Sequence, residues 1–301
     1  MSHKTVLLQE AITALNLHKG SCVFDGTFGA GGHSRLIAAE IGLEGTLIAC
    51  DRDSSVFETD VAREIGALTK FVPRVANFRD IKHTLAECSV SACDAALLDL
   101  GLSSTELEES GRGFSFQKDE PLLMTYEDKP GPDAVTAASV VNGWSESSLA
   151  DIIYGFGDER YARRIARVIV ETRTSRRIKT TGDLVEIIRS ATPAVYQRGK
   201  THFATRTFQA LRMAVNDELG AIDEGVRGVL DVLTPGGRLV IITFHSTEDR
   251  LVKRLFRGAS DDGRVSLVVK KPLIPSDAEM KDNPRSRSAK LRIVERCSDE
   301  R

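Results

Sequence analysis

Four glycines lie within seven residues of the segment VFDGTFGAGGHS (23–34), directly after the aspartate Asp25. An apolar run, a glycine-rich turn and the helix-like segment SRLIAAEIG predict a strand, a tight turn and a helix, an arrangement that presents backbone N–H groups to a nucleotide. The spacing matches neither the dinucleotide motif G-x-G-x-x-G nor the phosphate loop G-x-x-x-x-G-K-[ST], and no lysine is present to meet a phosphate. Taken alone, the segment leaves a structural turn and an NAD site open as alternatives.

Acidic residues end two further strand-like runs. Asp51 ends LIACD, about 20 residues beyond the glycines, where a carboxylate can accept hydrogen bonds from both hydroxyls of a ribose. Asp99 ends AALLD, and ligands of open α/β sheets bind at the carboxyl ends of the strands. We therefore expect both carboxylates beside the glycine-rich turn, in a site for a nucleotide.

These residues need a sheet to position them. Strand-like runs alternate with helix-like segments in the first hundred residues, at CVFD (22–25), TLIAC (46–50), KFVPRV (70–75) and AALLD (95–99). Strands return at RLVIITF (238–244), VSLVVKK (265–271) and AKLRIVER (289–296). The alternation predicts an α/β fold with a mostly parallel sheet. The segment LTPGGRLVI (233–241) predicts the end of a helix, a Pro-Gly-Gly turn and an edge strand.

The chain between residues 106 and 205 has a different pattern. It contains no buried strand-like run, and amphipathic helical segments follow one another at SLADIIYGFG, RYARRIARVIVETR and TGDLVEIIRSA. The pattern predicts a Rossmann-like core formed by residues 1–105 and 206–301, with residues 106–205 inserted as a helical domain.

Two levels of resemblance follow from these motifs. The acid ahead of the glycine-rich turn, Asp51 after the second strand and the Pro-Gly-Gly turn before the fifth resemble the class I S-adenosylmethionine methyltransferases, whose cofactor carries a sulfonium and no phosphate. Eight strings, in the same order over nearly the whole chain, resemble the bacterial small-subunit ribosomal RNA cytosine-N4 methyltransferase family. They are TVLLQEA, GTFGAGGHS, NF (77–78), LLDLGLSS (97–104), RGFSF (112–116), TRTFQALRMAVNDEL (205–219), GGRLVIITFHSTEDR (236–250) and NPRSRSAKLR (283–292).

The family resemblance implies an activity and a set of site residues. The activity is transfer of a methyl group from S-adenosylmethionine to the N4 amino group of a decoding-centre cytosine of 16S rRNA, within the small ribosomal subunit. The implied cofactor-binding residues are Gly31, Gly32, His33, Asp51, Phe78, Asp99 and Glu106. The implied catalytic residues are Asp99, Ser103, Ser104 and His245, and no metal site is expected.

The chemistry limits what such an enzyme must supply. An exocyclic amine is a weak nucleophile because its lone pair is delocalised into the ring, so the enzyme must orient the amine and accept its proton. No covalent intermediate is needed, in contrast to C5 methylation of cytosine by a cysteine thiolate. The segment DLGLSS lacks the aromatic residue of the [DN]-P-P-[FYW] motif in enzymes that methylate DNA amino groups. Phe114 or Phe116 is therefore expected to stack on the flipped base.

Two departures from the family pattern motivate a second hypothesis. Glu106 occupies the place of a glutamine in the family's S-S-P-Q-L string, and a carboxylate accepts hydrogen bonds but cannot donate as an amide does. After RGFSF the family commonly has L-D-M-R, whereas Leu123 and Thr125 stand here in place of the aspartate and the arginine. Losing both members of an ion pair can be nearly neutral, whereas losing RNA contacts would lower affinity. The alternative function is a cofactor-binding ribosome-assembly factor with weak or lost catalysis.

Several candidate residues also have a purely structural interpretation. His245 follows the fifth strand and is either a substrate contact, which we favour, or a hydrogen-bonding structural histidine. Phe78 and Phe244 fit a hydrophobic core as well as a ligand site. Trp144 is expected to pack within the helical insertion.

The charge distribution favours a polyanionic partner, although the net charge is only −2. Eight basic residues and one acid lie between Arg160 and Lys179. Two more basic runs contain Arg198, Lys200, Arg206 and Arg212, and Arg285, Arg287, Lys290 and Arg292. Each run alone could be a solvated helix face. Arg160, Arg163, Arg164 and Arg167 are predicted to share one helix face toward the RNA.

Composition excludes several classes of protein. The chain has 301 residues, 41% of them hydrophobic and 28% charged, as is ordinary for a soluble globular protein. No apolar run approaches the roughly 18 residues of a membrane span, and the N-terminus does not resemble a signal peptide, so a cytoplasmic protein is expected. Five cysteines without a C-x-x-C pair indicate neither a zinc site nor a disulfide framework, and Cys22 and Cys50, which lie in strand-like runs, are expected to be buried reduced thiols. The oligomeric state stays open.

Overall fold

The computed structural model describes residues 4–101, 107, 110–127, 131 and 133–298. The chain divides into two compact units, one formed by residues 1–101 and 219–301 and the other by residues 102–218. Each unit has its own hydrophobic core.

The first unit is built on a seven-stranded sheet. Its strands are β1 (Cys22–Asp25), β2 (Thr46–Asp51), β3 (Lys70–Val75), β4 (Cys93–Asp99), β5 (Leu233–Thr243), β6 (Val265–Leu267) and β7 (Lys290–Arg296), in the spatial order β3-β2-β1-β4-β5-β7-β6. The first five strands run parallel, and β7 is antiparallel to both β5 and β6. The predicted α/β fold with a mostly parallel sheet is confirmed.

The helices are α1 (Leu8–Leu15), α2 (Gly32–Ile41), α3 (Asp60–Leu68), α4 (Ile81–Glu87), α5 (Ala137–Gly143), α6 (Glu146–Gly155), α7 (Ala162–Ser175), α8 (Thr181–Ala191), α9 (Ala194–Gln197), α10 (Thr205–Val215), α11 (Glu218–Val232), α12 (Ser246–Asp261) and α13 (Asp277–Asp282). Short 3-10 helices cover Ser54–Glu58, Phe78–Asp80 and Pro284–Ser288.

Both faces of the sheet are buried. Successive strand residues point to opposite faces, so Val23 packs in the cluster that contains residues of α1, α2 and α3, whereas Phe24 packs with residues of α4, α11 and α12. A parallel sheet covered on both faces needs nearly continuous apolar strands. This requirement explains why CVFD and AALLD are apolar up to their last residue.

The sheet order fixes where a ligand can bind. The chain builds β1, β2 and β3 outward in one direction and then returns to place β4 on the other side of β1. In such sheets the crevice at the carboxyl ends of the two strands flanking this reversal is the usual ligand site. Asp25 ends β1 and Asp99 ends β4, so both acids lie at that crevice.

Two predictions about the later strands were wrong. Strand β5 is not an edge strand, because β7 pairs with its outer side in antiparallel register. The Pro-Gly-Gly segment is a bulge within β5, since Leu233 pairs with Cys93 and Arg238 already pairs with Ala95. Gly236 has a φ of 79°, which the bulge requires and which glycine adopts readily. Strand β6 ends at Leu267 rather than at residue 271, shortly before Pro272, which has no N–H for a ladder.

The second unit is helical and includes helices α5 to α10. Its core contains Ile153, Ile165 and Ile188 from three helices, and Trp144 packs against this core as expected. The sequence places the end of the helical domain at residue 205, whereas in the structure this unit extends to residue 218. Phe208 and Leu211 of α10 bury their side chains in the same core. Helix α10 therefore belongs to the helical unit.

No helix in the described part of the chain is both long enough and apolar enough to cross a membrane.

Candidate functional site

The glycine-rich loop between β1 and α2 is closed by the carboxylate of Asp25. Its Oδ1 accepts a hydrogen bond from the backbone N–H of Thr27 at 3.0 Å, and its Oδ2 accepts one from Ser34 Oγ at 2.6 Å. Asp25 is buried. One side chain therefore holds both ends of the loop.

Two glycines at the start of α2 are required by their surroundings. Gly31 has a φ of 75°, and a Cβ there would lie 2.8 Å from Val61. A Cβ at Gly32 would overlap the side chain of Thr5. These predicted cofactor residues thus have a local structural reason to be glycine, and they lie at a helix N-terminus, where backbone N–H groups can meet a ligand.

Asp51 lies at the end of β2 and contacts the same loop. Its Oδ2 accepts a hydrogen bond from the N–H of Gly29 at 2.8 Å, and its Oδ1 accepts one from the N–H of Asp53 at 3.0 Å. Each carboxylate oxygen has a second lone pair, so both can also accept from a ligand hydroxyl. The position agrees with the ribose-binding role that the sequence predicts.

Asp99 and His33 meet at the crevice between β1 and β4. His33 Nδ1 lies 3.5 Å from Asp99 Oδ2, and His33 is buried in the first turn of α2. The N–H of Asp99 donates to Thr27 Oγ1 at 2.7 Å, and Thr27 Oγ1 lies 3.5 Å from Asp25 Oδ1. Thr27 therefore links the two strand ends.

The crevice concentrates negative charge in a buried place. Burial raises the pKa of Asp25 to about 6, although hydrogen bonds from Ser34 and Thr27 oppose the rise. Burial also raises the pKa of Asp51, and burial together with the charges of Asp25 and Glu248 raises the pKa of Asp99 well above its usual value. Within the described residues Asp99 Oδ1 is buried without a hydrogen-bond partner. Such a site favours a cationic ligand.

Phe78 and Phe244 flank this region as packed side chains. Phe78 packs against the core on one side of the sheet, where a Cβ at Gly26 or Gly225 would lie within 2.7 Å of it. Phe244 packs against the other core cluster. Phe78 is only partly buried, so its position is compatible with both interpretations that the sequence allows.

His245 has a structural function as the N-cap of α12. Its Nδ1 accepts a hydrogen bond from the N–H of Glu248 at 3.3 Å, and the Glu248 carboxylate accepts from the N–H groups of Phe244 and His245. This is a capping box with a histidine in the place of the usual serine or threonine. The cap uses Nδ1 and leaves Nε2 without a hydrogen-bond partner among the described residues, so the catalytic role of His245 stays a prediction.

Ser103, Ser104 and Glu106 lie outside the described residues. Sequence reasoning missed Thr27, Ser34 and Glu248 as members of the site. The bond from Asp99 to Thr27, the bond from Ser34 to Asp25 and the effect of Glu248 on the pKa of Asp99 arise only in the folded unit. A hydroxyl two residues after the strand-ending Asp25 was the one available signal, because Asp and Thr at that spacing often share a turn.

The proposed base-stacking aromatics lie in the helical unit. Phe114 is buried and lies against Tyr126 with ring centroids 5.7 Å apart, so no ring face is available to a base. Phe116 is half-buried and stacks on His202 at 4.4 Å. Leu122, Met124 and Thr125 of the divergent segment are also buried. The structure thus excludes Phe114 as a stacking residue in this arrangement.

The basic residues of the predicted runs fall into two groups. One group is bound to protein acceptors: Arg167 lies 3.8 Å from Glu146, Arg173 donates to the carbonyls of Val141 and Trp144, Arg176 pairs with Asp183, Arg212 forms a bidentate pair with Glu218, and Lys290 and Arg292 pair with Asp249. The second group is exposed and pairs with no carboxylate of the described residues, although Arg206 donates to the carbonyl of Asp158: Arg160, Arg163, Arg164, Arg177, Lys179, Arg198, Lys200, Arg206 and Arg287.

The cysteine thiols of the sheet are not activated. Burial raises the pKa of Cys22 to about 11 and that of Cys50 to about 12, and burial also raises the pKa of Cys93. All five cysteines are free. Since the thiolate is the nucleophile, none of these three suits covalent catalysis.

The fold and the site define a class of protein. A sheet of order β3-β2-β1-β4-β5-β7-β6 with one antiparallel β7, a glycine-rich loop after β1 and acids at the ends of β2 and β4 is the class I methyltransferase fold. The MraW methylase family matches residues 1–297 of the chain. The chain belongs to this family, so it is a methyltransferase, and the resemblance seen in the sequence is confirmed.

Curated relatives match nearly the whole chain. A protein of Brevibacillus brevis named ribosomal RNA small subunit methyltransferase H is 42% identical over 313 aligned positions, covering 98% of this chain and 98% of the relative. A protein of the same name from Magnetococcus marinus is 42% identical over 318 positions, covering 98% and 99%. A third, from a Paenibacillus species, is 39% identical and covers 98% and 99%.

Proposed function

We propose that the chain transfers a methyl group from S-adenosylmethionine to the N4 amino group of a decoding-centre cytosine of 16S rRNA, and that it acts on the small ribosomal subunit in the cytoplasm. The relatives named small-subunit rRNA methyltransferases support the substrate class. The observation that carries the chemistry is the half-buried carboxylate of Asp99 at the sheet reversal, whose Oδ1 is buried without a hydrogen-bond partner among the described residues.

The residues at the crevice fit S-adenosylmethionine. The cofactor carries a sulfonium and an ammonium group, and the three carboxyl groups with raised pKa values form a site that a cation would stabilise. Gly31, Gly32 and His33 would hold the cofactor at the N-terminus of α2, and Asp51 would accept from ribose hydroxyls. When bound, S-adenosylmethionine supplies an electrophilic methyl group.

Asp99 is the residue that we propose for the catalytic role. Methylation forms an N–C bond, breaks the S–C bond and releases one proton from the amine. A carboxylate whose pKa is raised by burial is a better proton acceptor than an exposed one. Asp99 Oδ1 is able to accept a hydrogen bond from the amine and so to direct its lone pair. Thr27 holds the backbone of Asp99 at the strand end.

The state of the cysteines supports amine methylation over C5 methylation. C5 methylation needs a thiolate nucleophile, whereas burial raises the pKa of the three sheet cysteines.

The decisive measurement uses small ribosomal subunits that lack the methyl mark and S-adenosylmethionine labelled in its methyl group. We expect label in 16S rRNA and, after nuclease digestion, N4-methylcytidine by mass spectrometry. Asp99→Asn should lower kcat by at least tenfold, since a positioned proton acceptor contributes about 10²–10⁴-fold. Cofactor and subunit binding without any transfer would instead identify an assembly factor, and 5-methylcytidine as the product would contradict the amine chemistry.

A further inference from the structure

A cation and two aromatic rings form a cluster on the surface of the helical unit. The guanidinium of Arg160 lies 4.9 Å from the ring centroid of Tyr161 and 4.8 Å from that of Tyr196. The two tyrosine rings contact each other edge to face, with centroids 5.0 Å apart. Arg160 is exposed, and no carboxylate of the described residues pairs with it. We call these three residues the Arg160 cluster.

The buried carboxylate of Glu159 holds the two tyrosines of this cluster in place. Glu159 is fully buried; its Oε1 accepts from the N–H of Tyr161 at 2.8 Å and its Oε2 accepts from the hydroxyl of Tyr196. Burial and the hydrogen bond to Glu159 raise the pKa of Tyr196 to about 12, so its hydroxyl stays a donor. Burying a carboxylate is costly unless it is hydrogen-bonded. Glu159 therefore holds both tyrosine rings in one orientation against the exposed guanidinium of Arg160.

The surroundings of the cluster are positive and partly apolar. Arg206 donates to the carbonyl of Asp158, and no carboxylate in the described part of the chain pairs with it. The chain contains no acidic residue from 187 to 216, and Arg198 and Lys200 in that segment are exposed. Val195, next to Tyr196, is 83% exposed. Exposed arginines interleaved with aromatic rings are typical of surfaces that bind single-stranded nucleic acid.

We propose that the Arg160 cluster binds single-stranded RNA, with one base stacked on the Arg160 guanidinium and neighbouring phosphates contacted by Arg206, Arg198 and Lys200. The proposal rests on the proposed function, because rRNA is its source of RNA. A cytosine whose amine is methylated must be unpaired or flipped, so the adjoining nucleotides include single strand. A planar guanidinium supported by tyrosine rings offers a stacking surface to any base. An acidic protein partner, in contrast, would require only the positive charge of Arg160 and not its planar guanidinium.

Substitutions at Arg160 separate stacking from charge. Arg160→Gln removes the charge, and Arg160→Lys keeps it but replaces the planar guanidinium with a point charge. Arg167→Gln on α7 is the matched control, because its charge already faces Glu146. The probe is a fluorescein-labelled single-stranded fragment of 16S rRNA from the decoding centre, and its affinity is measured by fluorescence anisotropy.

Both Arg160 variants should bind the fragment about tenfold more weakly than wild type, which corresponds to one stacked base. Arg167→Gln should bind within about twofold of wild type. With small subunits as the varied substrate, KM should rise in both Arg160 variants while kcat is unchanged. Wild-type affinity in Arg160→Lys with weaker binding in Arg160→Gln would overturn the stacking proposal and indicate that Arg160 contacts a phosphate through its charge. Wild-type affinity in both variants would overturn the whole cluster as an RNA site.

The wild-type protein distinguishes this failure from failure of the proposed function. If wild type methylates small subunits and the Arg160 variants match it in KM and affinity, only the inference fails. If wild type transfers no methyl group and does not bind the fragment, the proposed function fails first. Thermal melting of each variant verifies the fold, and Arg160→Lys, which keeps the aliphatic stem on the tyrosine rings, is the variant least able to disturb it.

Discussion

Asp25 is the residue on which the geometry of the candidate site depends most. It holds Thr27 and Ser34 at the two ends of the glycine-rich loop, and Thr27 in turn holds the backbone of Asp99. A neutral side chain would relieve the cost of burying this charge, yet the carboxylate accepts from two donors at once. The buried carboxylate therefore lowers the stability of the fold but fixes the conformation of the loop.

The raised pKa of Asp25 predicts how stability changes with pH. The pKa of Asp25 is about 4 in the unfolded chain and about 6 in the folded protein, so between these pH values the folded state binds the proton more tightly. The contribution of protonated Asp25 to the free energy of unfolding is therefore full below pH 4 and is lost as the pH rises through 6. Relative to Asp25→Asn, wild type should lose roughly 3 kcal/mol of unfolding free energy across this window. Urea denaturation at pH 4 to 7 measures the difference.

Ser34→Ala provides the complementary measurement. The Ser34 hydroxyl donates to the charged carboxylate and lowers the pKa of Asp25, so its removal should move the wild-type transition to higher pH. Parallel curves for wild type and Asp25→Asn over the whole range would show that the carboxyl is not buried as described.

At the scale of elements, an ion-pair network fastens α12 to β7. Asp249 accepts from Lys290 Nζ at 2.8 Å and from Arg292 Nε at 2.7 Å. Burial alone would raise the pKa of Asp249, but these two cations lower it below its usual value. This network fixes the N-terminal end of α12 directly after His245, its N-cap. Two residues of the basic run at 285–292 are therefore bound to protein rather than to RNA.

Removing this carboxylate should destabilise the fold strongly. Asp249→Ala leaves Arg292, which is 13% exposed, without its partner, and breaking a buried pair typically costs about 3–5 kcal/mol. Asp223→Ala is the control, because the Asp223–Arg227 pair lies on the surface of α11 and should contribute under about 1 kcal/mol. Midpoints of urea unfolding compare the two variants. Equal effects would mean that Asp249 is solvated.

The sequence predicts elements well where the information is local. β1 and β3 begin and end at the predicted residues, and the acids that end β2 and β4 lie at the predicted edge of the sheet. The interior position of β5 could not be predicted, because it depends on antiparallel pairing with β7, some fifty residues later. The roles of Thr27 and Ser34 were missed for a related reason, since their hydrogen bonds exist only once β1, β4 and α2 are assembled.

At the scale of the whole molecule, the net charge of −2 conceals a strong asymmetry. Residues 102–159 contain twelve acids and three basic residues, whereas residues 160–216 contain thirteen basic residues and three acids. Net charge is therefore a poor guide to the partner, and the distribution is the physical quantity that bears on RNA. The first unit holds the described cofactor-site candidates, and the basic run that begins at Arg160 lies in the second.

This distribution predicts the salt dependence of RNA binding. Arg163 and Arg164 in the first turn of α7 are exposed and pair with no described carboxylate, whereas Arg167 on the same helix lies near Glu146. If each contacts one phosphate, the Arg163→Gln/Arg164→Gln double variant should flatten the slope of log affinity against log salt by about 1.4, because single-stranded contacts contribute about 0.7 each. Filter binding of 16S rRNA fragments from 50 to 300 mM salt, about the range in which such slopes are resolved, measures the slope.

The control for that measurement removes the same charge elsewhere. Arg63→Gln/Arg227→Gln replaces two exposed arginines of the first unit that pair with Asp60 and Asp223, and it should leave the slope unchanged. Affinity for S-adenosylmethionine, measured by isothermal titration, should match wild type in both double variants, because every cofactor-site candidate described lies in the first unit. A wild-type slope in the Arg163→Gln/Arg164→Gln variant would mean that this face of α7 is solvated, and that phosphates are contacted by other basic residues, such as Arg198, Lys200 and Arg206.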